Sequence, residues 1–150
     1  MKMNALVDPE MIDALYAASM AGCRIDLLVR GICCLRPGVP GLSEHIRVRS
    51  IVGRYLEHSR IFRFGEGDGA RHFIGSADLM RRNLDHRVEG VTEVLDPSLA
   101  ARLDEILNVD LRADVSAWEL RVDGWTKVPP AEGVDSQVVL RELAEERATS

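Results

Sequence analysis

Lysine is almost missing from this 150-residue chain: Lys2 and Lys127 are the only two among 19 lysines and arginines. Nearly every cation is therefore a planar guanidinium, able to hold phosphate or carboxylate oxygens two at a time. Cysteine is equally scarce. Cys23, Cys33 and Cys34 are odd in number and lack CxxC spacing, which argues against a disulfide framework or a cysteine-rich zinc site and fits a reducing cytoplasm. Aromatic residues make up 5% of the chain and the net charge is −5, so neither base stacking nor overall electrostatics favours a nucleic acid as partner. No run of about 18 apolar residues could span a bilayer, and Asp8 interrupts the start before any stretch of secretory-signal length. Repeats and low-complexity tracts are absent as well. The length predicts a single domain over 1–150, with about 121–150 as a C-terminal extension.

What is present is unevenly distributed. From Arg47 to Arg87 there are nine arginines against five acids, which leaves −9 for the remainder of the chain. A locally basic, arginine-only middle favours an oxyanion ligand.

The elements can be placed from local signals. A strand is expected over Lys2–Val7, then a helix capped by Asp8 and opened by Pro9, with Met11, Ile12, Leu15 and Tyr16 at helical spacing and Gly22 as its stop. Ile25–Val29 reads as a central strand, and a strand-helix-strand unit of this length implies parallel pairing. Ligands of such sheets bind beyond the carboxyl ends of the strands, which is where Arg30 falls. Residues 32–44 form a loop rich in Pro and Gly, Ile46–Arg49 alternates like a strand, and Ile51–Leu56 is expected to make a short helix delivering Glu57 and His58. Arg60–Phe64 and Arg71–Ile74 read as a hairpin around a Gly-rich turn, with a last strand near Arg87–Leu95. Asp96-Pro97 repeats the helix start, a ribbon is expected over Trp118–Leu120 and Trp125–Val128, and Asp135 caps a terminal helix through Leu143.

The chemistry centres on His58-Ser59-Arg60 and Gly75-Ser76-Ala77-Asp78. An imidazole can attack phosphorus or pass a proton while arginine and serine donors hold nonbridging oxygens, which is most of what phosphoryl transfer requires. His45, His72 and His86 show no ligand spacing, so no protein-held metal is expected, and Cys33-Cys34 reads as packing.

Three segments in order, Arg30 to Gly38, Ile46 to Arg60, and Gly75 to Asp85, closely resemble the C-terminal domain of polyphosphate kinase of the first type, over about residues 1–120. That family is in turn similar to the phospholipase D superfamily: His58-x-Arg60 with Gly75-Ser76 matches its His-x-Lys and Gly-Ser pattern, with Arg60 in place of the lysine. The resemblance implies a phospholipase-D-like α/β fold, a mixed sheet flanked by helices. It also implies reversible transfer of the terminal phosphate of ATP to polyphosphate, with Mg2+ arriving on the nucleotide rather than in a protein cage. By that resemblance Arg30 and His58, 28 positions apart, contact ATP or ADP, and His58 is catalytic. Arg60, Ser76, Asp78, Arg82 and Asn83 hold phosphate or support the site, and Asp78 would orient His58 or an arginine by a hydrogen bond. The family's covalent phosphohistidine belongs to a preceding domain, so this chain is expected to be incomplete without it and to join a homo-oligomer when it has it. Two alternatives remain: a non-catalytic remnant that binds nucleotide or polyphosphate, and a homodimeric phosphodiesterase. Arg30 and His58 are expected to face one cleft at the carboxyl edge of the sheet.

Overall fold

The computed structural model describes residues 1–149. Asp8 accepts a hydrogen bond from the Met11 N–H at 3.0 Å and Pro9 occupies the first turn, so helix α1 runs over Pro9–Met20 and stops before Gly22, whose φ of +86° suits glycine. It links strand β1 (Lys2–Met3) to β2 (Ile25–Val29), and the two pair in parallel, as the spacing predicts. β3 (Ile46–Ile51) extends the parallel set beside β2. On the other side of β1 come the antiparallel β4 (Ile61–Phe64), β5 (Arg71–Gly75) and β6 (Val91–Val94). β7 (Ala117–Arg121) and β8 (Gly124–Lys127) form a hairpin on the far edge of β3. The result is one mixed eight-stranded sheet, in the order β6-β5-β4-β1-β2-β3-β7-β8. The remaining α-helices among the described residues are α2 (Arg81–His86), α3 (Pro97–Arg112) and α4 (Ser136–Ala148), and a 3-10 turn at Gly67–Gly69 joins β4 to β5. Among the described residues no helix is long and apolar enough to cross a membrane.

Strand alternation divides the core between the two faces. Met3, Leu27, Val29 and Val48 pack with Ile12 and Leu15 of α1. Leu28 and Ile61 point the other way and meet Leu107, Leu103 and Ile106 of α3.

The expected helix over Ile51–Leu56 does not form. The chain stays extended through Ile51, and the Val52 N–H donates to the Ser116 carbonyl at 3.0 Å. The Tyr55 N–H and C=O are then both taken by the Gln137 side chain, each at 2.8 Å, so neither is free for a helical bond. Gly53 lies under the same amide, where a Cβ would come within 2.5 Å of Gln137 Oε1. The segment that carries His58 is thus strapped to the start of α4.

Asp114 anchors the other end of that strap. Its carboxylate accepts from the backbone N–H groups of Ala131 (2.6 Å), Glu132 (2.6 Å), Gly133 (3.0 Å) and Val134 (2.5 Å), a loop that closes through Gly133 at φ +72°. The Ala131 and Glu132 N–H groups, helped by the other two and opposed by burial, hold its carboxyl at about 2. A depressed carboxyl contributes stability that is present above the unfolded value near 3.9 and lost as pH falls through the folded one. Asp114→Asn is expected to lower Tm by about 5–10 °C in calorimetry at pH 7. The gap should narrow below about pH 4 and close only as pH falls through about 2.

Candidate functional site

The carboxyl ends of β1 and β2 lie side by side, and the residues that follow them meet. Arg30, directly after β2, is half-buried; its Nε donates to Asn4 Oδ1 at 2.9 Å, and its Nη2 lies 3.0 Å from Nε2 of the exposed His58. Residues 28 apart in sequence are therefore in contact at the strand ends, on the edge where the sheet topology expects a ligand.

Arg60 turns all three of its nitrogens onto the protein. Its Nη2 and Nε donate to Asp78 at 2.7 and 3.3 Å, and its Nη1 donates to the His58 carbonyl at 2.8 Å. Asp78 is buried, and one of its oxygens also accepts from the Asn4 and Ala5 N–H groups at 2.7 and 3.1 Å. Burial pushes the Asp78 carboxyl up, but the Arg60 guanidinium and those two amides outweigh it and hold the group below the usual carboxylate range. Asp78 therefore orients an arginine, one of the two options that the sequence left open, and Arg60 braces the backbone of His58.

Ser76, Asn83 and Arg82 stand apart from this circuit. Ser76 donates to Glu89, and Asn83 Nδ2 donates to the other Glu89 oxygen at 2.5 Å. These two hydrogen bonds lower the Glu89 carboxyl. Gly75 remains close to Arg60, its N–H donating to the Arg60 carbonyl at 3.3 Å. Arg82 is exposed on α2, and no described residue accepts from it.

A third cluster lies beneath His58. The Lys2 ammonium bridges Asp110 at 2.5 Å and Glu57 at 2.8 Å, and Ser59 donates to the same Glu57 oxygen. Burial raises the Glu57 carboxyl, but Lys2 and Ser59 reverse the shift and keep it low; Asp110 is raised, because burial there exceeds the pull of Lys2. Beside this cluster a cavity of about 340 Å3 opens between the 55–59 segment, Ile106 of α3 and Gln137 and Leu140 of α4.

The basic middle is largely spent on internal contacts. Arg47, Arg63 and Arg71 pair with Glu119, Asp104 and Glu93, and Arg49 donates to the Leu111 and Ala113 carbonyls at the end of α3. His72 is buried against Asp104 at 2.7 Å, whereas His45 and His86 face solvent. Sequence reasoning missed Asn4, Lys2 and Asp110, because each acquires its role from a partner remote in the chain, and it missed Glu89 as the acceptor of Ser76 and Asn83.

The family model for polyphosphate kinase C-terminal domain 2 matches residues 1–137. The chain belongs to that family. Polyphosphate kinase 1 of Chlorobaculum tepidum is 57% identical over 129 residues, covering 85% of this chain and 18% of its own length. The polyphosphate kinase of Mycobacterium leprae is 58% identical over 130 residues, covering 86% and 17%. The crystal structure of polyphosphate kinase from Porphyromonas gingivalis aligns with a TM-score of 0.92 at 42% identity, over 99% of this chain and 24% of that one. This polyphosphate kinase domain thus has the mixed α/β fold that the resemblance implied, and it spans under a quarter of those relatives.

Proposed function

We propose that this domain takes part in the reversible transfer of the terminal phosphate of ATP to inorganic polyphosphate, with ADP as the other product. The observation that carries this reading is the 3.0 Å approach of Arg30 to His58 at the carboxyl ends of the parallel strands. Arg30 has donors to spare there and neutralises the phosphate oxygens, while the exposed imidazole beside it meets the transferring group. His58 then acts as a hydrogen-bonding or proton-transferring group, and the covalent phosphohistidine that the resemblance implies is supplied by another domain. The greater length of the relatives supports a requirement for such domains.

Arg60 serves as a brace, since the donors that it directs at Asp78 and His58 are occupied. That engagement of each of its three nitrogens with protein acceptors speaks against the phosphodiesterase alternative, in which the corresponding cation would face the substrate. Ser76 and Asn83 position Glu89, and the exposed Arg82 is free to reach a phosphate chain. The acids nearest His58 do not suit a magnesium cage: Asp78 is occupied by Arg60 and two amides, and Glu57 by Lys2 and Ser59. Mg2+ would be held by the phosphates that bring it.

Calorimetric titration of the 150-residue chain with ATP and with tripolyphosphate tests the binding part. Arg30→Ala should weaken both by about tenfold or more, the loss of a charge-assisted contact. His58→Ala, placed in a full-length polyphosphate kinase containing this domain, should lower transfer of labelled phosphate by about 10²–10⁴. Unchanged ATP affinity in Arg30→Ala would refute the assignment.

A further inference from the structure

Asn4 holds a place in this site that the proposed phosphate chemistry does not itself require. Its backbone is fixed from both sides: the N–H donates to Asp78 Oδ1 at 2.7 Å and the C=O accepts from the Gly31 N–H at 2.9 Å. Gly31 approaches so closely that a Cβ there would lie 3.0 Å from the Asn4 carbonyl oxygen. The Asn4 side chain is therefore launched from an immobile point, and its Oδ1 accepts from Arg30 Nε at 2.9 Å.

A guanidinium has five N–H donors and no acceptor. With Arg30 Nη2 3.0 Å from His58 Nε2, that ring nitrogen has to supply the lone pair. The neutral ring then carries its proton on Nδ1, whereas without a partner both tautomers are open. The other hold on His58, at its carbonyl, runs through Arg60 to Asp78 and so back to the Asn4 N–H. Five residues from four separate stretches of chain close one hydrogen-bonded ring, and Asn4 is the member that joins both arms.

We infer that Asn4 is a positioning residue that, by anchoring Arg30 Nε, fixes the tautomer of His58 with its lone pair at Nε2 before any phosphate arrives. A phosphate oxygen then competes with Nε2 for the Nη donors of Arg30. The guanidinium swings about its tethered Nε to that oxygen and leaves the imidazole lone pair facing the bound group. The relevance of this hand-off to phosphate transfer rests on the function proposed above; the tautomer itself does not.

The test is the ¹H–¹⁵N spectrum of the His58 ring in the ligand-free 150-residue chain, recorded well above the ordinary imidazole range and assigned by difference from His58→Gln. The wild type should show a pyridine-type Nε2 and a pyrrole-type Nδ1. Asn4→Asp, which keeps an acceptor at the same reach, should preserve that pattern. Asn4→Ala should bring both nitrogens to averaged shifts, as should Asn4→Ser, a second variant in case the first fails to fold. Tripolyphosphate should bind Asn4→Ala about tenfold more weakly, and Asn4→Asp should restore most of that loss. Wild-type ring shifts in Asn4→Ala or Asn4→Ser would overturn the inference, and so would an averaged ring in the wild type. A fixed tautomer in a chain that binds neither ATP nor tripolyphosphate would instead refute the proposed function and leave the positioning role standing.

Discussion

Lys2→Met is expected to lower the unfolding free energy by about 3–5 kcal/mol at pH 7, because it leaves a buried carboxylate without its counter-charge. The Asp110 side chain is 1% exposed, and that of Lys2 11%. Lys2 supplies the cation for both Asp110 and Glu57, while Asp110 Oδ1 has no hydrogen-bond partner of its own. The pH dependence has a definite sign. Burial already raises the Asp110 carboxyl against the pull of Lys2, and a carboxyl whose folded value exceeds its unfolded one takes up a proton on folding, so acid favours the native state. Removing Lys2 raises it further. The deficit of the variant should therefore shrink as pH falls from neutrality through values above the ordinary 3.9 of aspartate. Urea unfolding at pH 7 and pH 5 measures this, and a deficit of equal size at both would contradict it. Lys2→Met combined with Asp110→Leu should recover most of the loss, since the orphaned charge is then gone.

Asp78→Ala should have a comparable cost, about 3–5 kcal/mol, with the opposite relation to the carboxylate range. The Arg60 side chain, 14% exposed, would lose its partner, and the Asn4 and Ala5 amides would lose their shared acceptor. Since Asp78 is held below the usual range, its contribution is complete above the unfolded value near 3.9 and disappears only as pH falls through the depressed folded one. The two variants are thus separated by their pH windows: Lys2→Met recovers in mild acid, whereas Asp78→Ala converges with the wild type only in strong acid. Asp78→Ala should also weaken tripolyphosphate binding by about tenfold, because the brace on His58 fails together with the anchor of Asn4. Retained tripolyphosphate affinity in a folded Asp78→Ala chain would show that the brace is dispensable for binding.

How much was legible in the sequence depended on the range of the interaction. The starts of α1, α3 and α4 could be read because Asp8, Asp96 and Asp135 each cap N–H groups two or three residues ahead, and proline follows two of them. The hairpin of β4 and β5 could be read from alternation and a Gly-rich turn. The stretch after β3 was misread as a helix because Ile51 to Leu56 contains nothing that announces Gln137, 82 positions beyond Tyr55, as the partner of its backbone.

The site divides in the same way. His58, Arg30 and the Gly75-Ser76-Ala77-Asp78 segment stood out as residue types and as an ordered pattern, which was enough to suggest phosphate chemistry. The division of labour among the arginines was not visible: Arg30 keeps donors for a ligand, Arg60 braces Asp78 and the His58 backbone, and Arg49 closes the end of α3. By itself the sequence determined the helix caps, the hairpin, the parallel unit and the family pattern, since these depend on neighbours or on the order of residues along the chain. Only the tertiary structure decided that Asn4 touches Arg30, that Lys2 neutralises Asp110 and that Gln137 straps the His58 segment. Those pairings exist because eight strands in a non-sequential order bring distant side chains together, and hydrogen bonds and ion pairs act over a few ångströms of space regardless of separation along the chain.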